Sequence, residues 1–248
     1  MLSKGQIKLI RSLQQKKQRK QHKLFVIEGV KLVNELVFSE YKIHSIFCIH
    51  NEKAKEYADM HFPMKYSSKI IYINSKELSS ISALTTPNKF LAVAEIKENE
   101  ALLNNCDIYL ALEGIKDPGN LGTIIRIADW YNIKQIVCSE DCADIYNPKV
   151  VQASMGSIFR VQVNYCDIKE YVKNSSTTIY ASVLDGEDFR KIDFKKPATI
   201  LIGNESEGLS PGLKMLADHQ ISITRYGKAE SLNAAVASGI ILDQLRST

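Results

Sequence analysis

The sequence predicts an α/β protein in two parts, on three observations. Short apolar runs of strand length alternate with stretches of helical periodicity over most of the 248 residues. In the C-terminal half those runs are continuously apolar rather than alternating, which predicts a parallel sheet covered by helices on both faces. One polar stretch, Lys97–Asn105, interrupts the alternation. It separates a domain over residues 1–98 from a second over residues 106–248, both near common domain sizes.

In the first part, strands are expected at 24–27, 43–49, 70–73 and 90–96. Between them, residues 30–38 place Val30, Val33, Leu36 and Val37 on one helical face, 51–60 form a charged helix, and 76–84 form a helix ended near Pro87. In the second part, strands are expected at 108–112, 135–138, 178–183, 199–202 and 220–223. Helices are expected at 121–130, entered through Pro118, Gly119 and Asn120, and at 150–159, 168–172, 211–217 and 232–245.

Composition narrows the function classes. The chain is 45% hydrophobic and 24% charged, enough to bury substantial cores. No apolar run approaches the roughly 20 residues needed to span a bilayer, and the N-terminus lacks the apolar segment of a signal peptide. The expectation is a cytoplasmic protein with no membrane partner. Five cysteines without a CxxC pair suit a reducing compartment, and Cys138, Cys142 and the five scattered histidines show no metal-ligand spacing, so no metal is expected.

Charge is uneven. The net charge is +4, yet eight of the 32 Lys and Arg residues fall within residues 1–23 and none of the 28 Asp and Glu does. A basic cluster of this kind fits a phosphate backbone and makes Lys16, Lys17, Arg19, Lys20 and Lys23 candidate nucleic-acid contacts. A solvated helix face explains the same charges equally well. On the first reading, removing residues 1–20 weakens nucleic-acid binding.

Three segments in the second part join flexible backbone to polar side chains where a strand gives way to a helix. They are Asp117-Pro118-Gly119-Asn120-Leu121-Gly122-Thr123-Ile124-Ile125-Arg126, Ile202-Gly203-Asn204-Glu205-Ser206-Glu207-Gly208 and Gly227-Lys228-Ala229-Glu230-Ser231-Leu232-Asn233. Strand ends of an open α/β sheet are where ligands collect, because helix N-termini and freed backbone N–H groups converge there. No GxGxxG, GxxxxGK[ST] or GxSxG motif is present, which disfavours a standard dinucleotide site, a P-loop ATPase and a serine hydrolase of the elbow type.

These segments resemble the motifs of the SpoU (TrmH-like) RNA 2′-O-ribose methyltransferases of the SPOUT superfamily. The first matches as Asn120-x-Gly122-x-x-x-Arg126-x-Ala128, the second as Gly203-x-Glu205-x-x-Gly208 and the third as Ser231-Leu232-Asn233 before an apolar helix. Lys23-Leu24-Phe25-Val26-Ile27-Glu28-Gly29 is similar to the opening of the family's N-terminal substrate-binding domain, which resembles ribosomal protein L30e. The resemblance implies an L30e-like domain followed by a parallel sheet with a deep C-terminal trefoil knot, a homodimer, and S-adenosylmethionine held by backbone loops. The implied reaction is methylation of a ribose 2′-hydroxyl in structured RNA, with 23S ribosomal RNA expected and transfer RNA or a catalytically silent RNA-binding module as alternatives. A nucleotide-dependent enzyme using NAD or ATP remains a further class.

The resemblance makes Arg126 the central catalytic residue. A guanidinium stays protonated, so it suits orienting a phosphate and favouring a developing alkoxide better than acting as a base. Asn120, Glu205, Ser231 and Asn233 complete the expected catalytic set. For Asn120, Ser231 and Asn233, helix capping is the competing role. Gly203, Ile223, Leu232 and Asn233 are the expected cofactor positions. Where relatives carry Pro-Met, this chain has Thr224-Arg225, which alters the cofactor loop and adds a cation toward RNA.

Overall fold

The computed structural model describes residues 1–98 and 101–247; two residues of the expected linker, Asn99 and Glu100, lie outside them. The chain forms two compact units, one of residues 1–98 with 146–159 and one of residues 99–145 with 160–248.

The first unit contains α1 (Lys4–Ser12), α2 (Lys16–His22), β1 (Leu24–Glu28), α3 (Val30–Val37), β2 (Ile43–Ile49), α4 (Glu52–His61), β3 (Ile70–Ile73), α5 (Ser75–Ile81) and β4 (Phe90–Glu95). Its four-stranded sheet has the order β1-β4-β2-β3, with β4 antiparallel to both neighbours and β2 parallel to β3. Leu2, Ile10 and Leu13 from the N-terminal segment pack into a core with Val26, Phe47, Leu78 and Leu91. The basic N-terminus is therefore part of the folded unit and not a tail.

Within that segment Arg19, expected to face RNA, is 2% exposed. Its Nη1 donates to the carbonyls of Leu13 at 2.9 Å and Gln14 at 2.8 Å. Those carbonyls end α1, where no backbone N–H remains to satisfy them, so the guanidinium closes the turn between α1 and α2. Lys16, Lys17, Lys20 and Lys23 are exposed as expected, and Lys23 pairs with Glu98 at 2.8 Å.

Buried Glu28 sets another boundary. It accepts from the Ser82 hydroxyl and, at 2.8 Å, from the Ala83 N–H. This pull draws the chain out of helical geometry, so α5 ends at Ile81 where the sequence pattern runs on to Leu84.

The second unit contains β5 (Ile108–Leu112), α6 (Pro118–Trp130), β6 (Gln135–Cys138), β7 (Gln162–Tyr165), α8 (Ile168–Lys173), β8 (Thr178–Asp188), β9 (Ala198–Ile202), α9 (Pro211–Lys214), β10 (His219–Ser222) and α10 (Ala234–Ser247), while α7 (Pro148–Ser154) belongs to the first unit. Its six strands run in the order β10-β8-β9-β5-β6-β7, and every adjacent pair is parallel. From β5 the chain builds β6 and β7 on one side, then returns to lay β8 on the other, β9 between β8 and β5, and β10 at the far edge. The carboxyl ends of β5 and β9 thus lie side by side at the point where strand order reverses, the usual location of a ligand crevice.

Other local outcomes also differ from the sequence pattern. The helix expected over 150–159 stops at Ser154, because Met155 takes the left-handed conformation at φ 51° and a separate turn follows at Ser157–Phe159. The strand Gln162–Tyr165 was not expected, since its polar Gln162 and Asn164 give no apolar run. The strand expected over 178–183 extends to Asp188, with a break. Ala181 pairs with Gln220 but Ile221 pairs with Glu187, so residues 182–186 loop outward.

Candidate active site

The first motif is placed by ordinary helix-capping chemistry. Asp117 accepts from the Asn120 N–H at 2.8 Å and Pro118 occupies the first turn, a favourable N-terminal arrangement. The preceding loop is fastened by Gly114 N–H to Ser139 Oγ at 2.9 Å and by Ile115 N–H to Cys142 Sγ at 3.2 Å. Hydrogen bonding from Cys138 and from Ser139 pulls the Cys142 thiol down to about 7, and the same contact raises that of Cys138. Leu121, Ile124, Ile125 and Ala128 bury one face of α6. Asn120 is left half-buried at the helix start, and Arg126 is exposed on the outer side with no hydrogen-bond or ion-pair partner among the described residues.

The second motif follows β9. Asn204 donates to the Gly114 carbonyl at 2.8 Å and accepts from the Ser206 and Glu207 N–H groups at 2.8 and 3.2 Å, while its own carbonyl accepts from Gly208 N–H at 2.9 Å. The loop is folded back so tightly that a Cβ on Gly203 would sit 2.3 Å from the Gly208 carbonyl carbon. Only glycine fits there. Asn204 is a functional position outside the expected set, and its signal in the sequence is an asparagine able to form a local turn.

The third motif caps α10. Asn233 Oδ1 accepts from Ala235 N–H at 3.0 Å and Val236 N–H at 3.3 Å, so the helix expected from Leu232 starts at Ala234. The same side chain donates from Nδ2 to Asn120 Oδ1 at 2.8 Å. Asn120 Nδ2 in turn donates to Glu205 Oε1. Capping and site assembly coexist in one residue, and three loops distant in sequence meet in a continuous Asn233–Asn120–Glu205 chain.

A cavity of about 940 Å³ opens beside this chain. Gly203, Glu205, Ser231, Ile223 and Leu232 line it, as does the looped-out segment Ser182–Asp185; Arg126, Asn120 and Asn233 do not. The wall at 182–185 was invisible in the sequence, where it reads as the end of a strand. Where β8 rejoins β10 beyond this wall, the two backbones lie so close that a Cβ on Gly186 would be 2.6 Å from the Gln220 carbonyl oxygen.

Thr224, the departure from the resembled motif, donates from Oγ1 to Asp188 Oδ2 at 2.8 Å. That hydrogen bond and another from the Arg190 N–H hold the Asp188 carboxyl below its ordinary value, aided by the charges of Arg190 and Lys191.

The cavity suits S-adenosylmethionine. Apolar Ile223, Leu232, Ala234 and Ala237 supply surface for a ring, and the 203–208 backbone supplies polar groups. Four carboxylates, Asp185, Glu205, Glu207 and Glu230, outnumber the two cations Lys214 and Arg225 around it, a balance that favours a positively charged ligand.

Comparison with known proteins identifies the family. The profile of the SpoU rRNA methylase family matches residues 107–243, from the start of β5 into α10. The chain belongs to this family. A second profile, the MRM3-like substrate binding domain, matches residues 4–92 of this SpoU-family protein. The 23S rRNA (guanosine(2553)-2′-O)-methyltransferase RlmP of Bacillus subtilis is 28% identical over 240 residues, covering 95% of this chain and 94% of that protein. A TrmH-family structure from Porphyromonas gingivalis superposes with a TM-score of 0.88 at 30% identity, covering 100% and 99% of the two chains. An AdoMet-bound rRNA methyltransferase from Sinorhizobium meliloti gives a TM-score of 0.87 at 30% identity, covering 100% and 96%.

Proposed function

We propose that this SpoU-family protein methylates a ribose 2′-hydroxyl in 23S ribosomal RNA, using S-adenosylmethionine. The observation that carries this reading is the Asn233–Asn120–Glu205 chain beside the 940 Å³ cavity. The cofactor, when bound, supplies a methyl group on a sulfonium. Gly203, Ile223 and Leu232 would hold it, with the apolar side chains enclosing its ring and main-chain groups meeting its polar edges.

The chain's own residues then act on the RNA. Arg126, exposed and without a partner among the described residues, holds a substrate phosphate and lowers the energy of the alkoxide as the 2′-oxygen loses its proton. Glu205 is fixed by Asn120 through Oε1, leaving Oε2 to accept that proton. Asn120 and Asn233 position the carboxylate, and Ser231 adds a hydroxyl at the cavity wall.

Residues 1–98 serve as the substrate-binding domain and residues 106–248 as the methyl-transfer domain, a division supported by the spans of the two profiles. Lys16, Lys17, Lys20 and Lys23 contact the RNA backbone. The C-terminal part is knotted, a reading supported by likeness to solved family structures. The protein works as a homodimer in the cytoplasm. Exposed Trp130 on α6 and Val236 on α10, helices packed on each other, support the dimer.

The test is to map ribose methylation in 23S rRNA and tRNA from cells with and without this protein. One 23S position losing its methyl group is the expected result. A loss confined to tRNA, or no loss in either RNA, overturns the reading.

A further inference from the structure

We propose that the loop 224–228 is a stacking seat for an unpaired nucleobase of the substrate RNA, with Tyr226 as the stacking face and Arg190, Arg225 and Lys228 as phosphate contacts. This deepens the RNA methyltransferase reading and rests on it. Tyr226 is 84% exposed, so core packing gives no reason for an aromatic side chain at this position. It is nevertheless held. Its phenolic oxygen accepts from Arg190 Nη1 at 3.3 Å. Asp188 accepts from the Arg190 N–H at 3.1 Å through one carboxylate oxygen and from Thr224 Oγ1 at 2.8 Å through the other. One carboxylate therefore ties together the two segments that flank the ring. A proline at position 224 has no hydroxyl and cannot make this tie.

Place and chemistry agree. Thr224, Arg225 and Tyr226 line the same cavity as Gly203 and Leu232, so the loop forms part of its lip. Arg225 and Lys228 are exposed. Sequence-specific recognition of RNA targets loops, bulges and ends, and a base splayed out beside the cavity needs a new stacking face. Aromatic side chains flanked by cations provide such faces for single-stranded RNA, whatever the base.

The experiment compares wild type with Tyr226→Ala, Tyr226→Phe and Thr224→Val. It measures Kd for a 23S rRNA transcript, KM and kcat for its methylation, and Kd for S-adenosylmethionine on the same samples. Tyr226→Ala is expected to weaken RNA Kd and KM about ten-fold, a typical stacking contribution. Tyr226→Phe stays near wild type, Thr224→Val falls between, and cofactor Kd is unchanged.

Three results overturn the proposal: unchanged RNA affinity in Tyr226→Ala, equal damage from the Phe and Ala variants, or a parallel loss of cofactor affinity that makes the ring part of the cofactor wall. If wild type binds the transcript without methylating it and Tyr226→Ala still loses affinity, the seat stands and the enzymatic reading falls. If wild type methylates and Tyr226→Ala matches it, the seat falls and the reading stands.

Discussion

At the scale of single residues, Asn233 separates two roles that the sequence could not divide. Asn233→Asp retains an oxygen for the Ala235 and Val236 N–H groups but has no amide to donate to Asn120. The expected outcome is near-normal thermal stability with a large loss of methyl transfer, whereas Asn233→Ala also loses about 1 kcal/mol of helix capping. Chemical denaturation and a methyl-transfer assay on both variants distinguish the cases; equal activity in Asn233→Asp and wild type removes the polar chain from the mechanism. Arg126→Ala removes an exposed group that has no partner among the described residues. Stability should therefore change by less than about 0.5 kcal/mol, while kcat falls at least about 100-fold through lost transition-state stabilisation. Steady-state kinetics with an unchanged melting temperature check this. Motif spacing singled out Asn120, Glu205 and Asn233, polar residues beside glycine or at a helix start, and the structure joins these three by hydrogen bonds; Arg126 stands exposed in mid-helix, outside that chain. The hydrogen-bond order among them was not legible, since sequence carries no distances between loops.

At the scale of elements, side chains that satisfy backbone ends decide what is surface and what is scaffold. Arg19 read as one more cation in a basic run, yet it closes the turn after α1. Arg19→Met should cost about 3 kcal/mol, measured by urea unfolding, because two charge-assisted hydrogen bonds go and buried carbonyls are left unpaired. A change within about 0.5 kcal/mol would show that water replaces the guanidinium. The loop at 224–229 gives a pH prediction. The Asp188 carboxyl is held below its ordinary value by Thr224 first and by the Arg190 N–H second. A depressed folded-state value means the anchor is fully present above the ordinary carboxylate range and disappears as pH falls through the lowered value. The melting-temperature difference between wild type and Thr224→Val should thus be constant near neutrality and vanish in strong acid; a difference that instead grows on acidification reverses the sign and excludes the anchor. Periodicity found most strands because their apolar runs are continuous. It missed β7, whose polar Gln162 and Asn164 break the apolar run, and the outward loop at 182–186, which shows only in the pairing register of β8 with β10.

At the scale of the whole molecule, the alternation of runs was enough for an α/β chain with a parallel second sheet, and the family resemblance pointed to the same class. Neither disclosed that residues 146–159 cluster with the first unit, because grouping of that kind depends on long-range packing alone. The N-terminal segment shows the practical cost of reading charge without packing. Deleting residues 1–20 would remove Leu2, Ile10 and Leu13 from a core, so it tests folding as much as RNA binding. Replacing Lys16, Lys17 and Lys20 together by Gln leaves that core intact. The slope of log affinity for RNA against log salt should then fall by about 2 to 3, the value for three lost phosphate contacts. An unchanged slope assigns these lysines to solvent.

The links from Asn120 reach 85 residues forward to Glu205 and 113 residues forward to Asn233. During synthesis, then, the ribosome must release residue 233 before the three-residue hydrogen-bond chain can close. A chain that stops short of residue 233 therefore has the first of these links and not the second.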